Sequence, residues 1–183
     1  MPICSLNVSH KVSQLYLLLR VYYTPHRLFA MGLRPTPLCT RCKRDHGDLI
    51  HLLWRCPKLH PYWVGVVDTI NRVFLITLPV DPKHCLLLIL EELEWEESTR
   101  VAVIRSLFLA RKLIMTHWIA EEPPSMREWI NLMGEMLRKE KVIYQHRGCS
   151  QKFEKLWSRW LDVPGLAPVD LVTGRILGLS TPT

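Results

Sequence analysis

"LCTRCKRDHGDLIHLLWRC", residues 38–56, holds three of the chain's six cysteines, two of its eight histidines and four Lys/Arg side chains. Whether this stretch is a metal-stapled knuckle decides if the first sixty residues have a fold of their own. Cys39 and Cys42 are separated by two residues, the spacing at which a tight turn points two thiolates at one tetrahedral ion. His51 and Cys56, with four residues between them, supply a second pair, and the whole set reads C-x2-C-x8-H-x4-C. Four protein ligands leave no position for an activated water, so the expectation is one structural Zn2+ on Cys39, Cys42, His51 and Cys56. Three thiolates and a divalent ion sum to one negative charge, which the flanking Arg41, Lys43, Arg44 and Arg55 can offset. Two rivals for the fourth ligand stay open. His46 is one position short of the histidine of a retroviral-type knuckle, and His60 lies one helical turn beyond Cys56, across Pro57.

The charge of the chain points to the same segment. Residues 1–60 carry nine Lys/Arg against Asp45 and Asp48, which is the whole net charge of +7, while the other 123 residues balance fifteen basic against fifteen acidic side chains. An excess placed in this way suggests a polyanionic partner. The candidates for phosphate contact are Arg41, Lys43, Arg44, Arg55 and Lys58, with Arg34 at the edge. Trp54 is a possible stacking platform for bases, although most of the seven tryptophans fall at helical core spacing.

Beyond the knuckle the periodicity is helical almost throughout, with no sustained strand alternation. The pattern predicts helices over Lys11–Tyr23, then from Pro25 behind a Thr24 cap to a stop at Gly32. A short helix "LIHLLWRC" follows Asp48, and Lys58–Phe74 is the next. Asp81 caps another helix expected to run to Leu93. The acidic "EELEWEES" separates that one from Arg100–Ala120. After "EEPPS", Met126–His146 puts Trp129, Leu132, Met133, Met136, Leu137, Ile143 and Tyr144 on one stripe. Phe153, Leu156, Trp157, Trp160 and Leu161 repeat the spacing. The expected fold is mainly α: basic N-terminal helices and the knuckle over 1–63, a helical domain over 64–161, and an irregular tail over 162–183.

A secreted disulfide framework is not expected, because "MPICSLNVSHKVSQLYLLLR" has polar residues before any apolar run and no small-residue cleavage site after one. The thiols read as reduced and the chain as intracellular. Arg105, Arg111 and Lys112 interrupt the most apolar later stretch, which reads as a core helix and not a membrane span. The run Glu91, Glu92, Glu94, Glu96 and Glu97 reads as a solvated junction between helices, since paired catalytic metals need carboxylates converging from separate elements. His117, Cys4, Cys85 and Cys149 have no motif partners.

"RVYYTPHRLFAMGLRPTPLCTRCKRDHGDLIHLLWRCPKLHPYW", continuing through "DTINRVF" and "LPVDPKHCLL", resembles the carboxy-terminal region of the polyprotein of LINE-type non-LTR retrotransposons, the zinc-binding segment that follows the reverse transcriptase. The resemblance covers residues 20–161 and is specific over 35–63, in the proline-flanked "TPLCTRC", the "GDLIHLLWRCP" and Tyr62-Trp63. It implies His51 as the fourth ligand, and nucleic-acid handling during target-primed reverse transcription. The family's polymerase carries a Tyr/Phe-x-Asp-Asp motif, and this chain has no Asp-Asp pair. Its catalytic activities therefore do not carry over, and the chain looks like an orphaned or 5′-truncated piece of an element. The expected function is that of a non-catalytic zinc-binding module for RNA or single-stranded DNA, with the reverse transcriptase domain as a possible partner. The alternative is a zinc-stapled helical module whose partners are proteins.

Overall fold

In the computed structural model of the chain the described residues are 8–163. They form seven helices and one wide turn: α1 (Val8–Leu18), α2 (Pro25–Ala30), a π-type turn (His51–Arg55), α3 (His60–Phe74), α4 (Pro82–Cys85), α5 (Glu97–Thr116), α6 (Met126–His146) and α7 (Ser150–Leu161). No strand occurs among the described residues, and the one extended pairing is an isolated antiparallel bridge between Leu38 and His46. The mainly α class follows from the periodicity, and α6 has the bounds that its apolar stripe predicts.

α5 is the axis of the molecule. Residues 102–111 are all buried, and the helix packs against α3, α4, α6, α7 and the π-type turn, so that even Arg105, Ser106 and Arg111 on it are shielded from water. One hydrophobic cluster joins Cys39, Leu52, Leu53 and Cys56 of the knuckle to Trp63 and Phe74 of α3, Phe108 of α5, Trp129 of α6 and Trp157 and Trp160 of α7. The proposed boundary at 63/64 falls within α3, and both of its sides share that cluster. The tail expected over 162–183 lies outside the described residues from 164 onward.

Polar anchors set the joints. Ser125 and Glu128 form a reciprocal capping box at the start of α6. Thr24 and Asp81 accept from Arg27 N and Lys83 N at the starts of α2 and α4. Deep between α5, α6 and α7, Arg105 Nη1 donates to Glu140 Oε2 at 2.7 Å, and Trp157 Nε1 donates to the same oxygen at 3.0 Å.

Two expected helices are shorter than the pattern suggests. The first ends at Leu18 and not Tyr23, with Arg20 at a φ of 52°, a left-handed conformation that stops an α-helix. The helix capped by Asp81 ends at Cys85 and does not reach Leu93. The N–H groups of Leu86 and Leu87 still bond back to Pro82 O, and Leu88 then reverses the chain at a φ of 59°, a left-handed conformation that stops the helix. Arg111 Nη1 donates to the Leu86 carbonyl within this stretch.

Candidate metal centre

The knuckle is built by backbone hydrogen bonds around a reversal of the chain. Cys39 N donates to Asp45 O at 2.8 Å, Lys43 N to Cys39 O at 2.9 Å and Gly47 N to Pro37 O at 2.8 Å. Lys43 turns the corner at a φ of 55°. Gly47 lies where a Cβ would meet the Pro25 side chain at 2.9 Å and Cys39 Cα at 3.1 Å, so the close approach of α2 to the knuckle demands glycine.

The spacing of His51 and Cys56 poses a geometric problem that the wide turn solves. Residues five apart on an ordinary α-helix, at 3.6 residues per turn, are separated by about 140° and face different directions. Here Cys56 N donates to His51 O at 3.0 Å, a bond from i+5 to i that widens the turn and brings the two side chains toward one side. Asp48 Oδ1 accepts from His51 N at 2.6 Å and starts the turn.

Cys39, Cys42, His51 and Cys56 converge, with their four ligand atoms all within 4.8 Å of one another. Cys39 Sγ lies 4.0 Å from Cys56 Sγ, and Cys42 Sγ lies 3.3 Å from His51 Nε2. A zinc ion with Zn–S bonds of about 2.3 Å spaces its sulfurs about 3.8 Å apart in a regular tetrahedron, so these separations fit that ion. The set is closed: Cys39, His51 and Cys56 are buried and Cys42 is half-buried. With His51 Nε2 facing Cys42, the other ring nitrogen looks out toward Asp45, whose Oδ2 is 3.9 Å from Nδ1.

Local electrostatics prepare these groups unevenly. Burial alone would push the Cys42 thiol up, but the backbone N–H groups of Asp45 and Arg44 and the side chains of Cys39 and Cys56 hold it below its ordinary value. Burial and the neighbouring Cys39 push Cys56 up to about 11. His51 is lowered, chiefly by burial, which favours the neutral imidazole that a metal needs. The other two histidines stand apart. His46, at the bridge with Leu38, is exposed and stacks on His26 with ring centroids 5.4 Å apart, and His60 is exposed at the start of α3.

The basic candidates separate into three kinds. Arg41 is 1% exposed, which corrects its assignment as a phosphate contact: its guanidinium is turned inward onto backbone carbonyls. Lys43 and Lys58 are at the surface, but each has an acidic partner from the loop after α5, Glu121 at 3.1 Å and Glu122 at 3.0 Å respectively. Arg44 and Arg55 are exposed. Trp54 is half-buried and leans on Trp63, with centroids 5.7 Å apart. Sequence reading missed Glu121 and Glu122, because their 78- and 64-residue separations from the lysines leave no local signal. In the acidic junction, Glu92, Glu96 and Glu97 pair with Lys83, Lys155 and Arg100. Among the described residues, no helix is long and apolar enough to cross a membrane.

No protein-family model matches the chain, and a search of curated proteins returns no match.

Proposed function

We propose that this chain is a non-catalytic zinc-binding module that holds RNA or single-stranded DNA, derived from the carboxy-terminal region of a non-LTR retrotransposon polyprotein. The observation that carries the reading is the convergence of Cys39, Cys42, His51 and Cys56 on the same sixty residues that contain all of the net positive charge. A Cys3His set fills the coordination sphere of Zn2+, so the metal holds the knuckle in shape and activates no water. Arg44 and Arg55 then offer exposed guanidinium groups held in fixed relation to one another, with Lys43 and Lys58 beside them. Contacts of this kind are made to phosphates and carry little sequence information.

The test uses one preparation for both claims. Metal analysis should find about one zinc per chain, lost in Cys56→Ser and kept in Cys149→Ser. Affinity for single-stranded RNA should fall with salt at a log-log slope on the order of −0.7 per phosphate neutralised, and Arg44→Gln with Arg55→Gln should flatten that slope. A protein with no zinc, or a slope unchanged in the double variant, would remove the corresponding half of the proposal. One observation favours the protein-binding alternative: Leu19, Phe29, Met31 and Leu33 are exposed around α1 and α2, more apolar surface than a phosphate-binding face needs. Zinc loading without salt-dependent RNA affinity would support that alternative.

A further inference from the structure

Among the described residues three arginines are buried: Arg41, Arg105 and Arg111. Arg105 has the Glu140 carboxylate at 2.7 Å. The hydrogen bonds of Arg41 go to neutral carbonyls: Leu52 O at 2.7 Å, His117 O at 3.2 Å and Ile114 O at 3.5 Å. Its Nε has no hydrogen-bond partner among oxygen and nitrogen acceptors. A guanidinium withdrawn from water with only carbonyl dipoles around it is expensive, and such a group is found buried where an opposite charge accompanies it. The charge-bearing groups that surround Arg41 are the sulfurs of Cys39, Cys56 and Cys42. As thiols they are neutral, and they offer nothing to balance a cation. Bound to a divalent ion, three thiolates and one neutral imidazole sum to one negative charge, equal and opposite to the guanidinium.

We infer that Arg41 is the buried counter-ion of the metal–thiolate group, and that metal occupancy thereby latches the knuckle onto the C-terminal end of α5. This rests on the zinc reading above. The latch is visible in its contacts. The two Nη atoms of Arg41 join Leu52 of the π-type turn to Ile114 and His117 at the end of α5, and Thr40 Oγ1 next to it donates to Trp118 O at 3.2 Å. Without the metal the cation in this joint has no balancing charge, and the joint opens. Arg41 is a positioning residue: it touches the ligands' charge and the helix end, and no metal ligand is replaced by its substitution.

The experiment compares zinc affinity by chelator competition in the full chain and in Arg41→Met and Arg41→Lys. It also follows backbone hydrogen exchange at residues 117–120 with and without zinc. Removing an outer partner of a metal ligand weakens affinity by roughly 10- to 100-fold, and that is the loss expected for Arg41→Met. Arg41→Lys, which keeps the charge, should recover most of it. Exchange at 117–120 should speed up when zinc is withdrawn from the parent chain. An affinity in Arg41→Met within twofold of the parent, or an equal loss in both variants, overturns the counter-ion assignment while leaving the zinc site standing. A parent chain that takes up no zinc overturns the zinc reading and this inference with it. If Arg41→Met does not fold, the parent's exchange decides: unchanged protection at 117–120 without zinc overturns the latch.

Discussion

Replacing Trp157 with phenylalanine isolates one hydrogen bond at the centre of the helical body. Trp157 is 0% exposed, and its ring lies against Phe74 with centroids 6.5 Å apart. Its indole N–H donates at 3.0 Å to Glu140 Oε2, the oxygen that also accepts from Arg105. The other carboxylate oxygen, Oε1, has no hydrogen-bond partner, so loss of the indole leaves the carboxylate with the Arg105 bond alone. Trp157→Phe keeps an aromatic ring against Phe74 and withdraws the donor, at an expected cost of about 1.5–3 kcal/mol for a bond to a charged group. Trp157→Ala removes the whole ring and should cost about 3–5 kcal/mol, a large part of the roughly 5–15 kcal/mol that holds a domain of this kind together. Urea unfolding followed by far-UV circular dichroism reads both losses as shifts in midpoint at constant slope. In a Glu140→Gln background the acceptor is neutral, and Trp157→Phe should cost less, with a coupling on the order of 0.5–3 kcal/mol. A cost of only a few tenths of a kcal/mol for Trp157→Phe, equal in the two backgrounds, would show that the indole does not serve the carboxylate.

His51→Ala should weaken zinc binding far more than His46→Ala or His60→Ala, measured by chelator competition; a larger effect at His60 would mean that the knuckle closes with a different topology. Gly47→Ala places a Cβ 2.9 Å from the Pro25 side chain and should cost about 1–3 kcal/mol, as overpacking does; thermal unfolding no different from the parent would refute the close approach. Burial lifts the Glu140 carboxyl above its ordinary value, against the pull of Arg105 and Trp157. The folded chain therefore holds that proton to higher pH than the unfolded chain. The contribution is complete below about 4.5 and is lost as pH rises through the folded value. The stability of the parent relative to Glu140→Gln should fall across that window, and a relative rise would contradict the raised value.

Much of the framework is legible because it is local. The stripe from Trp129 to Tyr144 repeats at helical spacing, and Ser125 with Glu128 announces where α6 begins, so that helix is bounded by the sequence alone. The cysteine spacing likewise names Cys39 and Cys42 as a pair, since a two-residue gap has few geometries. "LLLIL" at 86–90 is different: five apolar residues in a row carry no period and include no glycine or proline, so nothing in them announces the left-handed turn at Leu88 that ends the helix. Spacing leaves His46 and His60 open beside His51, and only the resemblance favours His51; in the fold His51 reaches the sulfurs while His46, at the Leu38 bridge, is exposed. Among Lys43, Arg44 and Arg55, Arg41 has the sequence context of a surface residue. Its inward direction depends on the end of α5, 73 to 76 residues away, and a basic residue in a basic run gives no sign of such a partner.

The pairing of Lys43 with Glu121 and of Lys58 with Glu122 changes what an incoming polyanion would gain. Two carboxylates already stand where phosphate oxygens would go, so occupation of those lysines is an exchange of one anion for another and not the filling of a vacancy. Each exchange would still release the strand's condensed counter-ions, but it would break an ion pair and leave a carboxylate beside the phosphate, so the net gain per lysine shrinks. The loop after α5 thus acts as a resident competitor. In the proposed nucleic-acid reading it would raise the threshold for weakly charged or short strands and leave Arg44 and Arg55 as the points of first contact.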